Sequence, residues 1–246
     1  MGFKKFLNTY QFECTLPGSG QVVKFKPLIT KQMKKLSVHE NEHNPIIIEE
    51  IFDDLISSCA VSEKFNIGDL FLQDRIFLLM EIRRKSKGDT YEFRFNCPEC
   101  GKESFNTVNF DELKVIPIKD VETVGKIVIS DDISIFIKHI TRGEQKKGYA
   151  ELKKLKNGAK QQTDMVMNSI AVGITKVQTP EGEEELSYED KKYILDNLNF
   201  SVFDKVKEWY DKNDFGIQLS YTMCCNQPDC DFVSENQPIR IDSNFF

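Results

Sequence analysis

Histidine and tryptophan are scarce in this chain, three and one among 246 residues. No Gly-rich phosphate loop, no Ser, His and Asp in hydrolase order and no His-Glu-x-x-His run occurs. Without these carriers of phosphoryl transfer, triad hydrolysis or metallopeptidase chemistry, the chain is expected not to be an enzyme and to take no small-molecule substrate. No stretch reaches the roughly 18 consecutive apolar residues of a membrane helix, so a soluble protein with no membrane partner is expected. The opening Met-Gly-Phe-Lys-Lys-Phe has no long apolar run behind its charges, and no secretory leader is expected there. Positive charge is also in deficit: 33 Lys and Arg face 39 Asp and Glu, for a net charge of −6. Phosphate binding is driven by clustered cations that release counterions, so nucleic acid is disfavoured as the main partner. The basic runs Arg83-Arg84-Lys85, Lys146-Lys147 and Lys153-Lys154 are expected to line solvated helix faces.

Against these absences stand 19 Phe and a hydrophobic content of 40%, enough for a sizeable core and a folded rather than disordered chain. The seven cysteines carry the most chemistry. Cys97-Pro98-Glu99-Cys100-Gly101-Lys102 places two thiols two residues apart in a tight turn, which is half of a tetrahedral zinc site. Cys224-Cys225-Asn226-Gln227-Pro228-Asp229-Cys230 offers the second half, with Cys225 or, as an alternative, Cys224 pairing with Cys230. The shorter turn favours Cys225. Four thiolates form a closed site with no position left for water, so the expected role of one Zn2+ per chain is structural, not catalytic. A disulfide is the weaker rival in a chain that carries no mark of secretion, and the cysteine usage fits a reducing compartment. Cys14 and Cys59 are expected to be small buried apolar residues.

Alternation makes strands of Tyr91 to Asn96 and of Glu103 to Asn109, on either side of the first turn, and marks Ile217, Leu219 and Tyr221 before the second. Residues 10–26 predict a hairpin turning at Pro17-Gly18-Ser19-Gly20, and Gly125 to Ser130 with Ile133 to His139 a second around Asp131-Asp132. Helices are expected from Thr30 to about His39, from Pro45 through Ile56, from about Gly68 to Lys85, from Thr141 to about Lys156, and from Gln161 to Val172. Two more follow, capped by Ser187 and by Ser201. The Gly68 to Lys85 segment carries too many apolar residues for one face, so it is expected between layers or against a partner. Thr179 to Glu185 reads as an exposed acidic hairpin tip or loop, and Val108 to Ile118 as a connector. Asp53-Asp54 and Asp131-Asp132 are explained by solvation. His39 and His43, four apart in a polar context, are expected to be exposed, and His139 to be a satisfied structural side chain.

The predicted fold class is α+β, in two roughly similar halves at residues 1–118 and 119–246 forming one compact unit. Each half is a β-hairpin, a helical segment and a cysteine-bearing hairpin, and the halves are joined at a zinc-ribbon-like site. Phe25-Lys26-Pro27-Leu28-Ile29-Thr30-Lys31 echoes Ile137-Lys138-His139-Ile140-Thr141-Arg142, as a degenerate internal duplication would.

Leu16-Pro17-Gly18-Ser19-Gly20-Gln21-Val22-Val23-Lys24-Phe25-Lys26-Pro27-Leu28, followed by a charged helix, resembles the start of the baseplate hub assembly proteins of contractile-tailed, T-even-like bacteriophages. The likeness continues through the run from Asp69 to Asp89, an alternating strand and the Cys-Pro-x-Cys-Gly-Lys turn. It covers most of the first 120 residues and, more loosely, the remainder. The resemblance implies a morphogenesis protein that binds other baseplate hub or tail proteins, as a hub component or as an assembly factor absent from the finished particle. The location implied is the host cytoplasm during assembly, or the virion baseplate. It supplies no catalytic residues, and the metal expectation rests on this chain's own spacing. The alternative is a zinc-ribbon adapter that binds nucleic acid or transcription machinery.

Overall fold

The computed structural model describes residues 10–38, 42, 44–155, 162–239 and 241; His39 and His43 lie outside them. The chain opens with a hairpin of β1 (Phe12–Thr15) and β2 (Val22–Phe25), in which Cys14 faces Val23. Helices α1 (Thr30–Val38), α2 (Pro45–Cys59) and α3 (Leu72–Lys87) follow. The side chain of Asn44 accepts from the Ile46 N–H at 3.0 Å and Pro45 fills the first helical position, where a missing N–H costs nothing. Helix α3 starts four residues later than its apolar pattern suggests. Asn66 caps a separate 3-10 turn at Ile67–Asp69 by accepting from the Gly68 N–H, which takes Gly68 out of the helix.

As its composition requires, α3 is enclosed: Leu78, Leu79, Met80 and Ile82 are fully buried. It packs on α2, on β1 and on strand β10 (Gly216–Ile217). After α3 come β3 (Thr90–Asn96) and β4 (Glu103–Asn109), paired in continuous antiparallel register from Thr90 opposite Asn109 to Asn96 opposite Glu103. The following segment is more than a connector. It holds a short strand β5 (Val115–Ile116), to which β10 pairs from the far end of the chain.

The second part begins with β6 (Val124–Ser130) and β7 (Ile133–Lys138), then α4 (Arg142–Leu155) and α5 (Gln162–Gly173). Two further strands, β8 (Ile174–Thr179) and β9 (Gly182–Glu185), extend that hairpin into an antiparallel sheet ordered β6-β7-β8-β9. The acidic stretch is therefore a hairpin edge, and β8 is a strand that alternation does not reveal. Helices α6 (Tyr188–Asn197) and α7 (Phe200–Lys212) lead to β10, β11 (Ser220–Cys224) and β12 (Val233–Pro238). Ser187 caps α6 in a full capping box with Asp190. The cap of α7 is Asn199, whose Oδ1 accepts from the Val202 N–H at 2.9 Å, while Ser201 Oγ donates to the same Oδ1. The mixture of helices with small antiparallel sheets is α+β.

Two main apolar clusters result. One joins β1, β2, α1, α2 and α3 with Val108, Phe110, Ile217 and Ile239, so residues from both ends of the chain share it. The other lies between one face of the four-stranded sheet and α5, α6 and α7. Between them, Arg142 N–H donates to Leu70 C=O at 2.8 Å and Leu72 N–H to Ile140 C=O. Alongside, Asp53 is buried and receives Arg75 Nε at 2.6 Å, Lys146 Nζ at 2.7 Å and Arg142 Nε at 2.8 Å. Asp53 is thus a junction residue rather than a solvated one. Arg83 is likewise buried, its guanidinium 4.9 Å from the Phe110 ring centre.

Candidate metal centre

The first cysteine turn is built by the backbone. Cys97 N–H donates to Lys102 C=O and Gly101 N–H to Cys97 C=O, each at 2.9 Å, and Gly101 takes φ +70°, where a side chain would be strained. This closes the β3-β4 hairpin tightly enough to aim Cys97 and Cys100 at one point. The second turn extends the β11-β12 hairpin, with Cys225 N–H donating to Phe232 C=O at 3.0 Å and Cys230 N–H to Gln227 C=O at 3.2 Å.

The tips meet. Cys97 Sγ lies 3.7 Å from Cys230 Sγ, and Cys100 Sγ 3.7 Å from Cys225 Sγ, across 133 and 125 residues. All four sulfurs fall within 4.8 Å of one another. A regular tetrahedron with Zn–S bonds of about 2.3 Å has edges of about 3.8 Å, so the donor set and its spacing suit zinc. All seven cysteines are free thiols. Cys224 lies outside the group of four, as do Cys14 and Cys59.

Burial raises the Cys97 thiol. Backbone hydrogen bonds from Cys100 and Glu99, together with contacts to the Cys230 and Cys100 thiols, outweigh it and bring Cys97 down to about 7. At Cys230 the Phe232 backbone hydrogen bond lowers the value, but burial and the thiols of Cys97, Cys225 and Cys100 push it up to about 12. Cys97 ionises readily while Cys230 resists a second negative charge. A bound cation reverses that resistance, because it stabilises every thiolate at once.

The hairpins also touch outside the sulfurs. Phe93 and Tyr221 meet edge to face with ring centres 4.2 Å apart. Asn106 and Asn226 reach across to the opposite backbone, and Gln227 Nε2 donates to Glu103 C=O at 2.9 Å. Spacing on the chain reveals the cysteines but not these partners, since an Asn within a polar alternation carries no distinguishing signal.

His139 is buried among Trp209, Tyr210 and Phe215, with Nδ1 3.3 Å from Gln73 Nε2. Burial lowers its pKa; it is structural but not fully satisfied, since Nε2 is buried without a hydrogen-bond partner, and it lies outside the group of four thiols. A cavity of about 540 Å³ between α1 and α2 is lined by the apolar Ile29, Leu36, Ile51 and Leu55 together with the polar Lys31, Lys35, Asp54 and Ser58.

The class so defined is an α+β protein in which hairpins from distant parts of the chain bring four thiols to one point. Compared with known families, residues 7–246 match the family described as T4 bacteriophage base plate protein, and the chain belongs to it. No curated protein and no solved structure matches it. Membership assigns a structural or assembly role in the phage, in contact with other tail or baseplate proteins. Among the described residues no helix is long and apolar enough to cross a membrane.

Proposed function

We propose that this chain is a baseplate hub assembly protein. It acts by protein–protein binding, as a hub component or an assembly factor, and holds one structural Zn2+ through Cys97, Cys100, Cys225 and Cys230. The observation that carries the reading is the meeting, within a chain of the baseplate family, of four thiols whose paired sulfurs are 3.7 Å apart. Such a site leaves no open coordination position, so the metal's contribution is to the fold. It clamps the half at 1–118 to the half at 119–246 as one unit and stiffens the surface around the two hairpins. A stiff surface loses less ordering entropy when it binds, which suits a protein that templates assembly in the host cytoplasm or sits in the virion baseplate. The order hairpin, helices, cysteine hairpin recurs in both halves, in keeping with an internal duplication.

The zinc-ribbon adapter reading has less behind it. The net charge is −6, and Arg75, Arg84 and Arg142 are engaged by Glu49, Glu81, Asp89 and Asp53 rather than presented to a phosphate backbone.

The test is metal content by mass spectrometry under reducing conditions, with and without Cys97→Ser, followed by mixing with baseplate proteins and with DNA or RNA. The expected result is one zinc per chain, lost in the variant, and co-purification with baseplate proteins. A metal-free native chain defeats the zinc assignment; nucleic-acid binding with a steep salt dependence favours the adapter instead.

A further inference from the structure

Cys224 and Cys225 are adjacent, chemically identical and at the same hairpin tip, yet only Cys225 joins the sulfur cluster. The cause lies on the other hairpin. Asn106 Oδ1 accepts from the Cys224 N–H at 3.0 Å, and Asn106 Nδ2 donates to the Cys224 C=O at 3.1 Å. One side-chain amide therefore satisfies both backbone groups of one residue, as a neighbouring strand would. Asn226 returns the arrangement: its Oδ1 accepts from the Phe105 N–H at 3.2 Å and its Nδ2 donates to the Phe105 C=O at 2.7 Å. Ser104 Oγ joins the pair, donating to Asn226 Oδ1 and accepting from the Asn226 N–H at 2.8 Å.

We infer that Asn106 selects which of the two vicinal cysteines becomes the metal ligand, and that Asn106 and Asn226 together preassemble the four-thiol site. The inference rests on the metal reading above and adds the residues that determine its register. The amide clamp holds Cys224 in extended backbone at the end of β11, where it faces Val233. Successive residues of extended chain project to opposite sides, so fixing Cys224 as a strand residue turns its side chain away and presents that of Cys225. A slip of one residue would exchange the two thiols. The clamp prevents the slip without touching the metal, which makes Asn106 a positioning residue. Partners of this kind, one step removed from the metal, typically alter affinity about 10- to 100-fold.

The experiment measures zinc affinity of the full chain by competition with a chromophoric chelator for the native protein, Cys225→Ser, Cys224→Ser, Asn106→Ala and Asn106→Ala combined with Cys225→Ser. In parallel, alkylation of the zinc-loaded proteins maps which of Cys224 and Cys225 is protected. In the native background Cys225→Ser is expected to lose zinc and Cys224→Ser to keep it, with Cys224 alkylated. With Asn106→Ala, Cys224 takes over: the double variant binds zinc at least about tenfold more tightly than Cys225→Ser alone, and alkylation spreads over both positions. If Asn106→Ala does not fold, Asn106→Asp keeps the acceptor, lacks the amide donor and serves the same comparison. Zinc bound by the native chain with the Asn106 variants still wholly dependent on Cys225 overturns the selection by Asn106 and leaves the metal assignment standing. A native chain that binds no zinc overturns both.

Discussion

Asp53 illustrates how far a single residue's surroundings depart from its local sequence. In Phe52-Asp53-Asp54 it looks like half of a solvated acidic pair, yet it is 3% exposed and receives three cations. Burial works against its ionisation, but Arg75, Lys146 and Arg142 outweigh burial and hold the carboxyl below its usual range. Removing the carboxylate leaves buried Arg142 only Gln145 and the Glu49 carboxylate 3.9 Å away, and weakens the hold on Arg75. Asp53→Ala is therefore expected to cost about 3 to 5 kcal/mol in denaturant unfolding. The folded carboxyl holds its proton less tightly than the unfolded one. Its contribution is thus complete above about pH 4 and falls away as the pH drops through the lower folded value. Acid unfolding of Asp53→Asn should lack that component, and an unchanged acid limb would show that Asp53 does not couple to folding. Gly125 is constrained differently: an added Cβ would lie 2.5 Å from Trp209 Nε1. Gly125→Ala should therefore destabilise by about 1 to 3 kcal/mol as overpacking, with a shift in tryptophan fluorescence as the direct readout.

At the scale of the element, caps and turns were legible where a local bond decides them. The capping box at Ser187 and the left-handed Gly101 are both written in short motifs. The start of α7 is not, because Asn199 and Ser201 are both good caps two residues apart. Asn199→Ala should cost about 1 kcal/mol in thermal or denaturant unfolding, and Ser201→Ala less than about 0.5 kcal/mol. Equal losses would mean that the two share the cap. Strand β8 escaped alternation for a physical reason: the register with β7 shifts between Phe136 and Ile137, and its buried residues, Ile174 and Val177, are three apart. It also follows α5 directly, Gly173 ending the helix and Ile174 opening the strand, so no turn residues announce it.

At the scale of the whole molecule, strands from the end of the chain complete the structure of its beginning. Strand β10 pairs with β5, Ile217 and Ile239 enter the first core, and the β11-β12 hairpin meets the β3-β4 hairpin at the sulfurs. Closing so long a loop is costly for an unfolded chain, and a metal that binds only the closed form stabilises it by mass action. Zinc in about a thousandfold excess over its Kd contributes about 4 kcal/mol, or about 10 °C in Tm for a chain of this size. Scanning calorimetry with and without a chelator should show that difference, removed by Cys97→Ser. Equal Tm values for the chelated and loaded native protein would show that the hairpins stay docked through their side chains alone.

The sequence by itself determined the α+β class, the two cysteine turns, the helices with strong apolar stripes and the hairpins with continuous alternation. Each is encoded by contacts or periodicities within a few residues. Only the tertiary structure decided that Asp53 and Arg83 are buried and that β8 joins the sheet, and it places Cys225, which the shorter turn already favours, with the other three thiols while Cys224 stays outside. Those outcomes depend on partners far along the chain, such as Arg142 for Asp53 and Asn106 for Cys224. No local pattern carries such a pairing, because its free energy exists only after the loop between the partners has closed.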